Sequence, residues 1–208
     1  MRIISVERLI EAGSFAKSEE YTKIEKQVLE AISAVTYPEG AGSFIIKPVR
    51  RGNGVKPIKS KFLEKLRGYE WSIETEVTLP AGRQYGDFDA VYTINLSQKQ
   101  TSYFVAEWET GNISSSHRAL NKMSLALFRG SILGGVLILP TRELYNYLTD
   151  RVGNFSELQS YFPFWRAFGS LIHEGVLMVI SIEYDALSND VPLIKKGTDG
   201  WARYQKNK

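Results

Sequence analysis

Cysteine is absent from the chain, and histidine occurs only at His117 and His173. Without thiols there is no disulfide framework, no thiolate nucleophile and no Cys-ligated zinc or iron-sulfur site, and two imidazoles leave little for a His-rich metal centre. Long apolar runs are missing as well. The longest, 136–139 and 176–180, fall far short of the ~20 residues that a membrane-spanning helix needs. Near the N-terminus, Arg2, Glu7 and Arg8 put charges where a secretory signal requires its apolar stretch. A cytoplasmic protein with no membrane partner is expected. What is present suits a globular chain: 43% hydrophobic and 24% charged residues over 208 positions can build a core, so one folded domain spanning 1–208 is expected and disorder is not. Neither internal repeats nor low-complexity runs divide it.

The formal net charge of +3 conceals a polar distribution. Segment 47–61 holds six basic residues (Lys47, Arg50, Arg51, Lys56, Lys59, Lys61) and no acid, and 195–208 holds five against Asp199, which leaves the remaining chain at −7. Basic footprints on an acidic body suit a polyanion such as nucleic acid, although a solvated loop and a basic tail would give the same count. Within the first footprint, Gly52, Gly54 and Pro57 mark 51–57 as a loop able to bring backbone N–H groups to phosphates.

Tyr21, Ile24, Val28, Ala31, Ile32 and Val35 recur at helical spacing, which predicts a helix over 19–35 ended near Pro38. Five short segments rich in β-branched and aromatic residues, 71–79, 88–96, 102–109, 135–139 and 176–184, predict strands. Leu120, Met123 and Leu127 form a stripe behind the cap candidates Asn112 and Ser114, predicting a helix over 115–128. Two more helices are expected at 141–149 and 156–168. Alternation of strand and helix implies an α/β fold: a central mixed five-stranded sheet flanked by helices on both sides.

Chemistry concentrates at the end of the third strand. Side chains alternate along a strand, so Glu107 and Glu109 share one face while Trp108 points away. The preceding strand carries Asp87 and Asp89 at the same spacing. A hairpin centred on Gln98 pairs positions that sum to 196, setting Asp89 against Glu107 and Asp87 against Glu109. Opposed carboxylates ~5 Å apart repel unless a positive charge intervenes, and a hard divalent cation such as Mg²⁺ is the natural partner for an oxygen-only donor set. Glu74 on the first strand is a further candidate ligand if that strand is adjacent. Two other arrangements remain open from the residues alone. The acids can simply face solvent, or a one-residue slip can separate them. A glycosidase carboxylate pair fits less well, because Trp108 leaves that face and a basic footprint has no role on a neutral sugar.

The string Glu107-Trp108-Glu109-Thr110-Gly111-Asn112, running on through Ser114, His117 and Arg118 to Asn121-Lys122, strongly resembles the active-site strand and following helix of the BamHI family of type II restriction endonucleases. Further matching stretches are Asn53-Gly54-Val55-Lys56-Pro57-Ile58-Lys59, Tyr147-Leu148-Thr149-Asp150-Arg151-Val152 with Asn154-Phe155, and Val191-Pro192-Leu193-Ile194 with Lys196-Gly197-Thr198-Asp199-Gly200. They occur in family order. The resemblance implies a restriction-endonuclease-like core and a homodimer that encloses double-stranded DNA. It further implies hydrolysis of the palindrome GGATCC after its first G, leaving 5′ overhangs, with two Mg²⁺ ions per active site.

By the same resemblance Asp89 is the metal-bridging residue, Glu107 and Glu74 are the further acidic site residues, and Glu109 stands where the wider superfamily has lysine. A carboxylate there can accept a proton, which a charged lysine cannot. Lys59 corresponds to a DNA-facing lysine, and Asn112, Ser114, Arg118, Asp150, Arg151 and Asp199 to base-facing positions. Their chemistry is suitable: arginine matches the guanine O6/N7 edge, aspartate accepts from the cytosine amino group, and asparagine matches adenine. Helices 115–128 and 156–168 resemble the family's dimer seam. A companion DNA methyltransferase is expected in the host, though not as a physical partner. The functional alternatives are a DNA-binding protein of the same fold without cleavage, and a nuclease for repair or junction DNA.

Overall fold

The computed structural model describes residues 1–78, 84–97, 100–149 and 152–197. Its main sheet has strands β1 (Arg2–Ala12), β3 (Ser72–Thr78), β4 (Gln84–Ser97), β5 (Gln100–Trp108), β6 (Gly134–Pro140) and β7 (Gly175–Glu183), in the order β1-β7-β6-β5-β4-β3. The pairs β5/β6 and β6/β7 are parallel and the others antiparallel, so the sheet is mixed, with six strands rather than the five expected. A short parallel pair, β2 (Ile45–Ile46) with β8 (Ala186–Leu187), lies apart from it.

Helices cover both faces, as strand alternation dictates. On one face, α1 (Glu19–Ser33) and α2 (Lys56–Arg67) bring Ile24, Val28, Ile58 and Phe62 against Ala90, Phe104, Ala106, Val136 and Met178. On the other, α3 (Ile113–Phe128), α5 (Phe155–Gln159) and α6 (Phe162–Phe168) bring Leu120, Met123, Leu158 and Trp165 against Val91, Val105, Leu137 and Val179. Every residue of β6 and β7 is buried, which explains their continuous apolar runs. Among the described residues no helix is long and apolar enough to cross a membrane.

The added strand is β1. Its apolar residues at 3, 4, 6, 9 and 10 fit neither a strand nor a helix period, because its pairing with β7 shifts between Ile3 and Ser5 and again between Arg8 and Ile10. Each irregularity changes which face the following side chains meet, so Ile3 and Val6 pack with one core and Leu9 and Ile10 with the other.

The first basic footprint also differs from expectation. The loop expected over 51–57 ends at 55: Lys56 and Pro57 open α2, which goes on to carry Lys59 and Lys61, since Pro57 sits in the first turn of the helix, where its missing N–H has no intrahelical partner to lose. The expected helix 141–149 is confined to α4 (Arg142–Tyr145), because Leu148 is drawn into a bridge with Asn53. The helix expected over 156–168 divides into α5 and α6. Pro163 has no N–H to offer the Gln159 carbonyl one turn back, and a helix cannot run through that gap.

Candidate active site

The β4/β5 ladder pairs Ala90 with Ala106, Val91 with Val105 and so on to Asn95 with Thr101, all in the register summing to 196. The turn at Gln98 itself lies outside the described residues. One step past Ala90 and Ala106 stand Asp89 and Glu107, at the rim where the strands part. Asp89 Oδ2 accepts the backbone N–H of Trp108 at 2.8 Å, taking the place of a ladder carbonyl and fixing the carboxylate at the strand end. Trp108 points to the opposite face, its ring centroid 4.9 Å from that of Phe62. The expected opposition of Asp87 and Glu109 does not form. After Trp108 the chain turns to β6, where the Glu109 N–H donates to the Ile138 carbonyl at 2.8 Å, while Asp87 pairs with Glu76 on β3.

Two lysines approach this rim from opposite faces of the sheet. Lys59, in the first turn of α2, pairs with Asp89, and Lys122, in the middle of α3, pairs with Glu107 at 2.5 Å. Lys122 also donates to the Asp87 carbonyl at 2.9 Å and lies 3.9 Å from the centre of the Phe88 ring. Burial raises the pKa of Glu107, the Lys122 ammonium pulls it back, and the neighbouring Asp89 charge adds to the rise.

Among the described residues no lysine pairs with Glu109. It is buried, accepting the Gly111 N–H at 2.6 Å and the hydroxyl of buried Ser116. Burial pushes its carboxyl up to about 7, against the downward pull of those two hydrogen bonds. Ser116→Ala is therefore expected to move the Glu109 titration midpoint higher still, by about one unit, as read from its ¹³C carboxyl shift. An unmoved midpoint would leave Gly111 as the only effective donor.

Among the described residues no three acidic or imidazole side chains stand together closely enough to hold an ion as they are, because Asp89 and Glu107 are each turned onto an ammonium. The donor chemistry nonetheless fits a hard divalent cation. Two carboxylates converge on a place already occupied by positive charge, with the Glu109 carboxylate just past the end of β5. Glu74 stands apart. It lies across from Asp89 in the β3/β4 register, between the pairs Ile73/Ala90 and Thr75/Phe88, but it is exposed, has a left-handed φ of 51°, and does not line the cavity that the other acids share.

That cavity has a volume of about 1100 Å³. Lys59, Ser114, Arg118 and Lys122 line it together with Asp89, Glu107 and Glu109. Ser114 and Arg118 are exposed on the first turns of α3. Asn112 is exposed and caps that helix, its side chain accepting the Ser115 N–H at 3.3 Å. Asp150, Arg151 and Asp199 lie outside the described residues.

The segments flanking these three positions meet at Asn53, which is fully buried. Its amide donates to the carbonyls of Lys47 and Tyr147, both at 3.0 Å, and its oxygen accepts the Ile194 N–H at 3.1 Å. Gly54 adds an N–H to the Ile194 carbonyl at 3.0 Å, and a side chain there would overlap the Lys195 carbonyl. Sequence reasoning gave no role to Asn53, Ser116 or Lys122. Lys122 carried a usable signal, since it follows Arg118 by four residues on the helix that leaves the acidic strand. Asn53 carried none, because two of its three partners, Tyr147 and Ile194, are distant in sequence.

A family model described as restriction endonuclease BamHI matches residues 1–201. The chain is 47% identical over 202 residues to the type II restriction enzyme OkrAI of Oceanobacter kriegii, covering 97% of this chain and 99% of that one. It is 33% identical over 180 residues to the type II restriction enzyme BamHI of Bacillus amyloliquefaciens, covering 85% and 81%. Among solved structures, restriction endonuclease BglII complexed with a DNA 16-mer superposes with a TM-score of 0.56 at 9% identity, covering 89% of this chain and 79% of that chain, which establishes a shared fold.

Proposed function

Because the chain belongs to the BamHI restriction endonuclease family, we propose that it is a homodimeric, Mg²⁺-dependent enzyme that cuts double-stranded DNA at GGATCC, after the first G of each strand. The observation that carries this reading is the joint placement of Asp89, Glu107 and Glu109 in one cavity with Lys59, Ser114 and Arg118. Acids alone would repel a phosphodiester, and cations alone would only bind it.

Asp89 and Glu107 are the residues that would hold Mg²⁺, which when bound supplies Lewis acidity and offsets charge on the leaving 3′ oxygen. Glu109 serves as the base. Its buried carboxylate, oriented by Gly111 and Ser116, takes a proton from the water that attacks phosphorus in line with the departing oxygen. Lys122, fixed by Glu107 and the Asp87 carbonyl, contributes a stationary positive charge beside the phosphate. Arg118 and Ser114 would read base edges from α3, with Asn112, Asp150, Arg151 and Asp199 completing the readout.

An uncovered apolar face supports the dimer. Leu125 and Phe128 on α3 and Phe164 on α6, with Tyr161 just before α6, are exposed at 39%, 54%, 64% and 52%. The helices are tied together by the Trp165 indole donating to Asn121 at 3.1 Å and by the His117 ring, 4.5 Å from Tyr161. A second copy related by a two-fold axis would bury these side chains and place two identical readers on a palindrome. Phe164→Lys should convert the dimer to monomer in sedimentation velocity at micromolar concentration; retained dimer would place the seam elsewhere.

The function is tested with supercoiled DNA carrying one GGATCC site. Linear product with 5′ overhangs is expected in Mg²⁺ and none in chelator, and Asp89→Asn should bind the duplex without cutting it. Dispersed cutting, or cutting independent of Mg²⁺, would refute the proposal.

A further inference from the structure

The two lysines at the rim are held unequally. Lys122 has three attachments: the Glu107 carboxylate, the Asp87 carbonyl and the face of the Phe88 ring. Lys59 has one among the described residues, the Asp89 carboxylate. Its backbone is anchored by the buried neighbours Ile58 and Phe62, but its side chain is 19% exposed and lines the open cavity. A four-carbon stem on a fixed helix can turn its ammonium without moving the backbone.

The charges at the rim balance as they stand. Asp89 and Glu107 contribute two negative charges, Lys59 and Lys122 two positive ones. A divalent cation arriving on the two carboxylates leaves the rim with two surplus charges at close range, in a partly desolvated place where such repulsion is weakly screened. The most weakly attached charge is the one that leaves. A duplex laid across the cavity offers it a phosphate oxygen.

We propose that Lys59 is an exchangeable counterion. It neutralises Asp89 in the free protein and transfers to a DNA phosphate when the divalent ion takes the carboxylate, so that ion and duplex bind cooperatively. This deepens the nuclease reading and rests on it. Coupling of this kind is reciprocal: the duplex must raise affinity for the ion by the same factor that the ion raises affinity for the duplex. Lys122 repels the ion without taking part in the exchange.

The test is calorimetric titration of Ca²⁺ into the dimer, free and bound to a duplex carrying GGATCC, for the parent, Lys59→Gln and Lys122→Gln. In the parent the duplex should tighten Ca²⁺ binding by about 5- to 150-fold, the usual span of such couplings. Lys59→Gln should bind Ca²⁺ more tightly by a similar factor without DNA and gain little from the duplex. Lys122→Gln should also bind Ca²⁺ more tightly but keep the coupling. Free Lys59→Gln binding Ca²⁺ no better than the parent, or retaining full coupling, overturns the proposal.

A second measurement needs no substitution. One added phosphate contact makes the dependence of duplex affinity on log salt steeper by ~0.9 per subunit in Ca²⁺ than in chelator, and equal slopes would also overturn it. The two levels fail distinguishably. A protein that neither binds the duplex nor cuts in Mg²⁺ loses the nuclease reading and this inference together, whereas one that cuts while Lys59→Gln titrates like the parent loses the inference alone.

Discussion

Glu109→Gln is expected to abolish cleavage and, at pH 8 in chelator, to raise the melting temperature by roughly 6–12 °C. Both effects have one origin. Burial holds the Glu109 carboxyl at about 7 in the folded chain, against 4.5 for an ordinary glutamate. A carboxyl whose pKa is raised by folding favours the native state while protonated, and that advantage disappears as pH climbs from the unfolded value through the folded one. At pH 8 the ionised group therefore costs about 3 kcal/mol relative to the unfolded chain.

Glutamine removes the ionisation while preserving the contacts. Its oxygen accepts from Gly111, and its amide donates to Ser116, whose hydroxyl reverses its role. The stability difference between variant and parent should be small at pH 4.5, grow between pH 4.5 and 7, and level off above. Parallel melting curves across that range would show that Glu109 is not strained by ionisation. The same sign applies to the reaction, since the parent's cleavage rate in Mg²⁺ should rise with pH as the base ionises.

Asn53→Ala should lower stability by about 1–3 kcal/mol, because it leaves the Ile194 N–H without its acceptor at a fully buried position and takes one of two donors from each of the Lys47 and Tyr147 carbonyls, which keep the N–H groups of Val49 and residue 53. Asn95→Ala, on the exposed part of β4, should move stability by under about 0.5 kcal/mol. The larger consequence lies in recognition. Asn53 ties the 47 loop to residue 147 on one side and residue 194 on the other, and these segments run into Asp150, Arg151 and Asp199. The ratio of affinities for GGATCC and a scrambled duplex should fall at a temperature where the variant remains folded. An unchanged ratio would make Asn53 a structural residue only.

Local signals in the sequence were strong where pattern and structure share one period. The α1 stripe at Tyr21, Ile24, Val28 and Ile32 is buried as its spacing requires, and the 196 register of the β4/β5 hairpin holds from Ala90/Ala106 to Asn95/Thr101, shifting only at the last pair, Ser97/Gln100, so that Asp89 and Glu107 come to one rim. Failures came where a long-range interaction overrides the local pattern. Two irregularities in β1 scramble its alternation, Asn53 draws Leu148 out of helix, and Pro57 is a helix-start residue that reads equally well as a turn. At the site, carboxylates could be found by strand alternation, but their lysine partners come from helices on opposite faces of the sheet. No sequence period connects position 59 to 89 or 122 to 107; only the packing of α2 and α3 on one sheet does so.

The β4/β5 pair carries its acids at one end and its connection at the other, with the ladder running from Ala90 and Ala106 to Ser97 and Gln100 between them. At ~3.3 Å per residue that is a lever of about 25 Å. Residues gained or lost beyond Ser97 would lengthen or shorten the far end while the near end keeps its spacing, so drift in chain length is absorbed away from the chemistry. For the experimenter, the far end of the ladder is a place to attach a label remote from the catalytic acids.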